Sequence, residues 1–317
     1  MANILVLILL MDSLKSQKTL IIIAGPTAVG KTDLCVDLAK KLKTEVISAD
    51  SRQFYRELNI GTAKPTVEEM RGIPHHFVNS HSIEEYFSVG DFERECLQKI
   101  DTIFKNKDTV ILTGGSGMFI KVITDGLDDM PDADLELREK LMQTLKNEGL
   151  APLLKQLEFL DIEYFNKVDK QNSQRIVRAL EVCIGAGIPF SSFHGNKKVE
   201  RPFNILKIGL ERPREQLYQR IDQRMNQMLG VGLVEEAKYL LPYRHHYALQ
   251  TVGYKEIFDF FDGNTTYEET VRLLKRNSRR YAKRQLTWFK NQDNFNWFDA
   301  TQQEEIFNFI GKYLEKI

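Results

Sequence analysis

Residues 20–32 read LIIIAGPTAVGKT, and the fold turns on them. Leu20 to Ala24 have the composition of a buried strand, and they run directly into the G-x-x-x-x-G-K-[ST] pattern formed by Gly25, Gly30, Lys31 and Thr32. DLCVDLAKKL follows as an amphipathic helix. With glycine near ~7% of residues, such a coincidence arises by chance in about one chain of this length in a hundred, and the strand and helix on either side lower that further. The stretch Gly25, Pro26, Thr27, Ala28, Val29, Gly30, Lys31, Thr32 therefore reads as a phosphate-binding P-loop. Its backbone N–H groups turn inward around anionic oxygens, the helix start adds its positive end, Lys31 adds a point charge, and the Thr32 hydroxyl can reach Mg²⁺. A polyphosphate is implied; a nucleotide is not.

Outward from the loop, TEVISAD is a strand ending in Asp50, and DTVILTGGSGMF is a buried strand followed by a glycine turn. Between them FERECLQKIDTIF has helical periodicity. Strands alternating with helices predict an α/β fold with a parallel, P-loop NTPase-like sheet, whose ligands lie at the carboxyl ends of the strands. Asp50 and Gly114 to Gly117 then share one rim with the P-loop. From about Met130 to Gly195 the pattern is helical without interruption, and FNILKIGLE restores a strand. The expected organisation is an N-terminal extension at 1–19, the first part of the core at 20–128, a helical insertion at 129–200, and core completion with basic C-terminal helices at 201–317.

The chain has 317 residues, 44 basic and 44 acidic, so no overall field points to a nucleic acid. Distribution does. VRLLKRNSRRYAKRQLTWFK at 271–290 holds eight Lys or Arg and no acid. On a helix Arg272, Arg276, Arg279 or Arg280, and Lys283 form a stripe suited to a phosphate backbone, with Tyr281 and Trp288 as stacking surfaces. The competing reading is a solvated face paired to acids elsewhere in the chain. Cys35, Cys96 and Cys183 are scattered without C-x-x-C spacing, and the pairs His75-His76 and His245-His246 lack the spacing of metal ligands. MANILVLILLMDS lacks a basic n-region and a cleavage pattern and is too short to span a bilayer. A cytoplasmic protein is expected, with the first residues a disordered extension or a mis-assigned start.

A P-loop ATPase carries a strand-terminal acid for Mg²⁺, but the strand VILT ends in Thr113 and glycines. The strand-end acid near the loop is Asp50, which reads as a metal ligand, a general base, or a cap of the next turn.

GPTAVGKT, SADSRQFYRELNIGTAKP, GIPHH, GGSGMF, QRIVRALEV, RIDQRMNQML, VGYKE and AKRQLTWFK, in this order, resemble the bacterial tRNA dimethylallyltransferases, or tRNA isopentenyltransferases, over residues 20 to 290. The resemblance implies that the P-loop holds the diphosphate of dimethylallyl diphosphate, with Mg²⁺ as cofactor. The prenyl group passes to N6 of adenine 37, beside the anticodon, in tRNAs reading codons that begin with U. It further implies that Asp50 takes the proton from N6, with Thr32, Lys31 and Arg224 serving the diphosphate. Asp50, Ser51, Arg52, Gln53, Ser116, Arg138, Gln174, Arg175, Ile176, Val177 and Arg178 match positions that contact tRNA. A monomer without membrane association is expected. The family usually has Thr where Ser116 stands and Tyr where Phe119 stands, so a methyl and a hydroxyl are missing here. Rival readings are an adenylate isopentenyltransferase acting on AMP, a P-loop small-molecule kinase, and a non-catalytic RNA-binding protein. A mononucleotide acceptor requires neither the helical insertion nor the basic helix.

Overall fold

The computed structural model describes residues 18–128, 130–131, 134–193 and 199–317; the extension expected at 1–19 lies outside the described residues except for Lys18 and Thr19. The chain forms two units, one of residues 1–124 and 200–317 and one of residues 125–199.

The larger unit is built on β1 (Thr19–Ala24), buried at all six positions, as a strand covered on both faces must be. It begins one residue earlier than the expected boundary, because Thr19 already pairs with Thr109. Around it lie β2 (Val46–Ser48), β3 (His75–His76), β4 (Thr109–Gly114), β5 (Asn204–Glu211) and β6 (Phe295–Asp299), in the order β3-β2-β4-β1-β5-β6. Every pairing is parallel, with Ile21 between Ile111 and Leu206. β3 and β6 are the edge strands: β3 is two histidines with no sequence signal, and β6 (FNWFD) carries three aromatic strand-formers and no β-branched residue.

The alternation of β1 sends Leu20 and Ile22 to one face and Ile21 and Ile23 to the other. On the first face pack α3 (Val89–Phe104) and α4 (Gly117–Asp125), together with α10 (Leu233–Tyr239), α11 (Tyr254–Phe261) and α12 (Tyr267–Lys290). The opposite face is covered by α1 (Lys31–Leu42), α9 (Arg214–Gly230) and α13 (Gln303–Leu314). A one-turn helix, α2 (Val67–Met70), precedes β3. From β1 the chain crosses to β2 on one side and joins β5 on the other, which puts the turn after β1 at the switch point where open α/β sheets bind ligands.

The smaller unit is helical: α5 (Leu135–Glu148), α6 (Ala151–Leu160), α7 (Ile162–Lys167) and α8 (Ser173–Ala186), closed by a 3₁₀ turn at Phe190–Phe193. Asn172 caps α8 by accepting the Arg175 N–H at 3.2 Å. Leu141, Leu153, Leu157, Ile176 and Leu180 form its core. Glu181, 1% exposed, is held there by Arg138 at 2.7 Å and Arg178 at 2.5 Å. A buried carboxylate without those partners would be costly. Among the described residues no helix is long and apolar enough to cross a membrane.

Candidate active site

The P-loop joins β1 to α1. Gly30, at φ 115°, occupies a left-handed conformation that only glycine adopts without strain, and it opens α1 without a side-chain cap. The N–H groups of the first turn are thereby left facing a cavity. The same cavity is lined by Lys31, Thr32, Asp50, Arg224, Tyr281 and Gln285, among others.

Three arginines surround the loop. Arg212, just after β5, donates from Nε to Val29 O at 2.7 Å, and Arg220 on α9 donates from Nε to Ala28 O at 2.7 Å. Arg224, one helical turn beyond Arg220, lines the cavity itself. Burial, and then the neighbouring charge of Arg220, hold its pKa below the usual arginine value. Lys31 Nζ donates to Gly25 O and Pro26 O at 2.9 Å each. Burial lowers its pKa to about 8, against the opposing charge of Asp50. A concentration of cations that repel one another in a partly desolvated cleft is a site for an anion.

Asp50 follows β2 on the same rim. Its Oδ1 accepts the N–H of Arg52 at 3.0 Å and of Gln53 at 3.4 Å, so it also caps the turn that follows. Burial raises its pKa above the ordinary carboxylate value, opposed by the Arg52 N–H and by Lys31. Ser116 and Ser51 meet on this rim: Ser116 Oγ accepts the Ser51 N–H at 3.0 Å and donates to Ser51 Oγ at 3.2 Å. Gln53 is committed to the protein, donating to Thr62 O and Ala63 O and accepting from Ser48 Oγ at 3.1 Å. The Arg52 guanidinium lies 4.6 Å from the ring centroid of Tyr247, an exposed tyrosine.

The loop carrying these residues is fastened by Glu236. Its carboxylate accepts the N–H groups of Asn59, Ile60 and Gly61 at 2.8 to 3.0 Å and the Tyr254 hydroxyl at 2.7 Å.

In the smaller unit Gln174 and Arg175 are exposed at the start of α8. Ile176 and Val177 face its core, and Arg138 and Arg178 hold Glu181.

The basic helix α12 divides by face. Arg272 pairs with Glu269 at 2.6 Å and Arg279 with Asp222 at 2.6 Å, so the intramolecular reading accounts for those two. Arg280, Lys283 and Arg284 line an open cleft with Thr287, Trp288 and Asn291. Tyr281 and Gln285 point inward to the P-loop cavity, and burial, then the charge of Asp50, push the Tyr281 phenol up to about 12.

Arg212, Arg220, Tyr247, Glu236 and Gln285 escaped sequence reasoning. Arg212 alone carried a signal, as the first residue beyond a strand's carboxyl end. The Thr32 hydroxyl, in the cavity, suits a Mg²⁺ ion completed by phosphate oxygens and water. Among the described residues no group of three or more His, Cys, Asp or Glu is placed to hold a metal alone.

A P-loop on the central strand of a parallel sheet, ringed by arginines and faced by a strand-end carboxylate, defines a P-loop protein that works on a phosphorylated substrate. The sequence profile of the IPP transferase family matches residues 53–292. A tRNA dimethylallyltransferase of Cytophaga hutchinsonii is 51% identical over 95% of this chain and 99% of its own. One from Christiangramia forsetii is 47% identical over 92% and 97%. The crystal structure of the tRNA isopentenylpyrophosphate transferase of Bacillus halodurans superposes with a TM-score of 0.71 at 40% identity, covering 95% of this chain and 97% of that one. A eukaryotic dimethylallyltransferase acting on tRNA gives 0.77 at 29% identity, covering 90% and 75%. The chain belongs to the IPP transferase family.

Proposed function

We propose that the protein transfers a dimethylallyl group from dimethylallyl diphosphate to N6 of adenine 37 in tRNAs that read codons beginning with U, releasing diphosphate. The observation that carries this reading is the placement of Asp50 in one cavity with Lys31, Thr32 and Arg224. In the reaction the C1–O bond of the prenyl diphosphate breaks, a C1–N6 bond forms, and Asp50 accepts the N6 proton. The amine is a poor nucleophile because its lone pair is delocalised into the ring, so a positioned base helps. The P-loop N–H groups, Lys31 and Arg224 face the negative charge that grows on the departing diphosphate. Thr32 would hold Mg²⁺ together with phosphate oxygens and water, and the ion would supply Lewis-acid stabilisation of the leaving group while Asp50 serves as the base.

Ser51, Arg52 and Ser116 would position the target nucleotide, with Gln53 serving it indirectly by holding their loop through Ser48, Thr62 and Ala63. Gln174 and Arg175 offer exposed contacts on the helical unit. Ile176 and Val177 keep α8 in place, while Arg138 and Arg178 combine contact with their hold on Glu181. A base must leave its stack to reach such a cavity, and an exposed aromatic such as Tyr247 suits a neighbouring base. tRNA places the reaction in the cytoplasm.

Incubation with radiolabelled dimethylallyl diphosphate and either tRNA or AMP tests the reading: label should enter tRNA and not AMP. Pyrophosphate should compete with the prenyl diphosphate, and ATP should be neither hydrolysed nor required. Formation of ADP with transfer of the γ-phosphoryl group to an added small-molecule acceptor would favour a kinase instead.

The faces of α12 make a separate prediction. The double variant Arg280→Glu, Lys283→Glu should weaken tRNA binding and reduce its log–log salt slope by about one unit per lost phosphate contact, without changing KM for the prenyl diphosphate. Arg279→Glu, which breaks the pair with Asp222, should lower the melting temperature instead. An unchanged slope in the double variant would remove α12 from the tRNA interface.

A further inference from the structure

Gln285 lies within the basic run at 271–290, yet it is 7% exposed and uses both ends of its amide. Oε1 accepts the Thr27 N–H at 2.9 Å, and Nε2 donates to Gly115 O at 2.9 Å. Among natural side chains an amide of this length does both: glutamate has no donor for Gly115 O, lysine and arginine have no acceptor for Thr27, and asparagine is one methylene shorter.

Thr27 has a particular place in the loop. Pro26 before it has no N–H, so Thr27 is the first donor of the loop beyond Gly25. Val29 turns its N–H back to Pro26 O at 3.4 Å. With Thr27 held by Gln285, the remaining donors are those of Ala28, Gly30, Lys31 and Thr32, clustered at the helix start. A chain of phosphoryl groups lies along a P-loop, so a longer chain extends from the helix start toward the strand end.

We propose that Gln285 determines the length of phosphate chain the loop accepts: by holding the Thr27 N–H it leaves donors for two phosphoryl groups and none for a third. This rests on the diphosphate reading above. It accounts for a P-loop that takes a prenyl diphosphate in a cell rich in nucleoside triphosphates, and it makes Gln285 a specificity residue that acts through the backbone of Thr27.

The test compares pyrophosphate with tripolyphosphate as competitors of dimethylallyl diphosphate in the wild type, Gln285→Met and Gly115→Ala. Methionine keeps the bulk of glutamine and removes both hydrogen bonds. Gly115→Ala reaches the same contact from the other side, because a Cβ there would lie 2.2 Å from Gln285 Nε2, the far end of a flexible side chain that must move away. In both variants the affinity for tripolyphosphate relative to pyrophosphate should rise about tenfold, the worth of one hydrogen bond to a charged oxygen, while pyrophosphate affinity stays within about threefold. A parallel loss of both ligands, or an unchanged ratio in a variant that melts like the wild type, overturns the proposal. If Gln285→Met does not fold, Gly115→Ala decides. Should the wild type let neither anion compete with the prenyl diphosphate, the diphosphate reading itself fails, and this inference with it.

Discussion

Replacing Asp50 with alanine should lower turnover by ~10² to 10⁴-fold while leaving tRNA affinity nearly unchanged, the usual worth of a positioned general base. Asp50→Asn separates proton transfer from shape, because asparagine can still accept from the Arg52 and Gln53 N–H groups and keep the turn. If the carboxylate only caps that turn, Asp50→Asn will retain activity and Asp50→Ala will lose thermal stability. If it is the base, both variants fold and neither turns over. Wild-type rates for Asp50→Asn at saturating substrates would end the assignment. The pH profile carries the same information, since the base must be ionised to act. Burial raises its pKa, so the acid limb of kcat/KM should fall off above the normal carboxylate range.

Lys31→Ala should reduce kcat/KM for dimethylallyl diphosphate by about 10² to 10³-fold, the scale for removing one preorganised charge from a developing anion. Its effect is expected in both KM and kcat, because the ammonium meets the diphosphate in the ground state and in the transition state. In the free protein burial lowers the lysine to about 8, so the charge is present below that pH and lost above it. kcat/KM for the prenyl diphosphate should therefore decline above about pH 8, and the decline should vanish in Lys31→Arg, whose side chain stays protonated. A selective loss of tRNA affinity in Lys31→Ala would contradict its place in the diphosphate cradle.

Much of this site was legible in order along the chain. LIIIAGPTAVGKT gave strand, loop and helix together, because each local preference agrees with the fold it enters. Asp50 was legible as an acid at a strand's end, and the helices that run from Leu135 to Ala186 as apolar periodicity. What stayed hidden depends on pairing across distance. Arg279 reads as one more member of a basic stripe until Asp222 on α9 is found beside it. Gln285 looks like a neutral gap in the same stripe until its partners, at positions 27 and 115, are brought to it by the sheet. Glu236 is an ordinary helix-surface glutamate by sequence, and only the fold reveals three backbone N–H groups converging on it. β3 was missed for another reason: an edge strand of two histidines takes its conformation from the neighbour it pairs with, whereas β6 did carry a signal in its three aromatics.

The larger unit is interrupted in sequence, and this matters during synthesis. β1 needs β5 on one side, yet residues 125–199 emerge from the ribosome before Asn204–Glu211. Until then TLIIIA, with every side chain destined for burial, has an open edge and two incompletely covered faces. The helical unit, rich in local contacts, is suited to fold during that interval, while the sheet waits. A nascent chain arrested before residue 204 thus presents an unpaired apolar strand edge, the feature that invites aggregation and recruits chaperones.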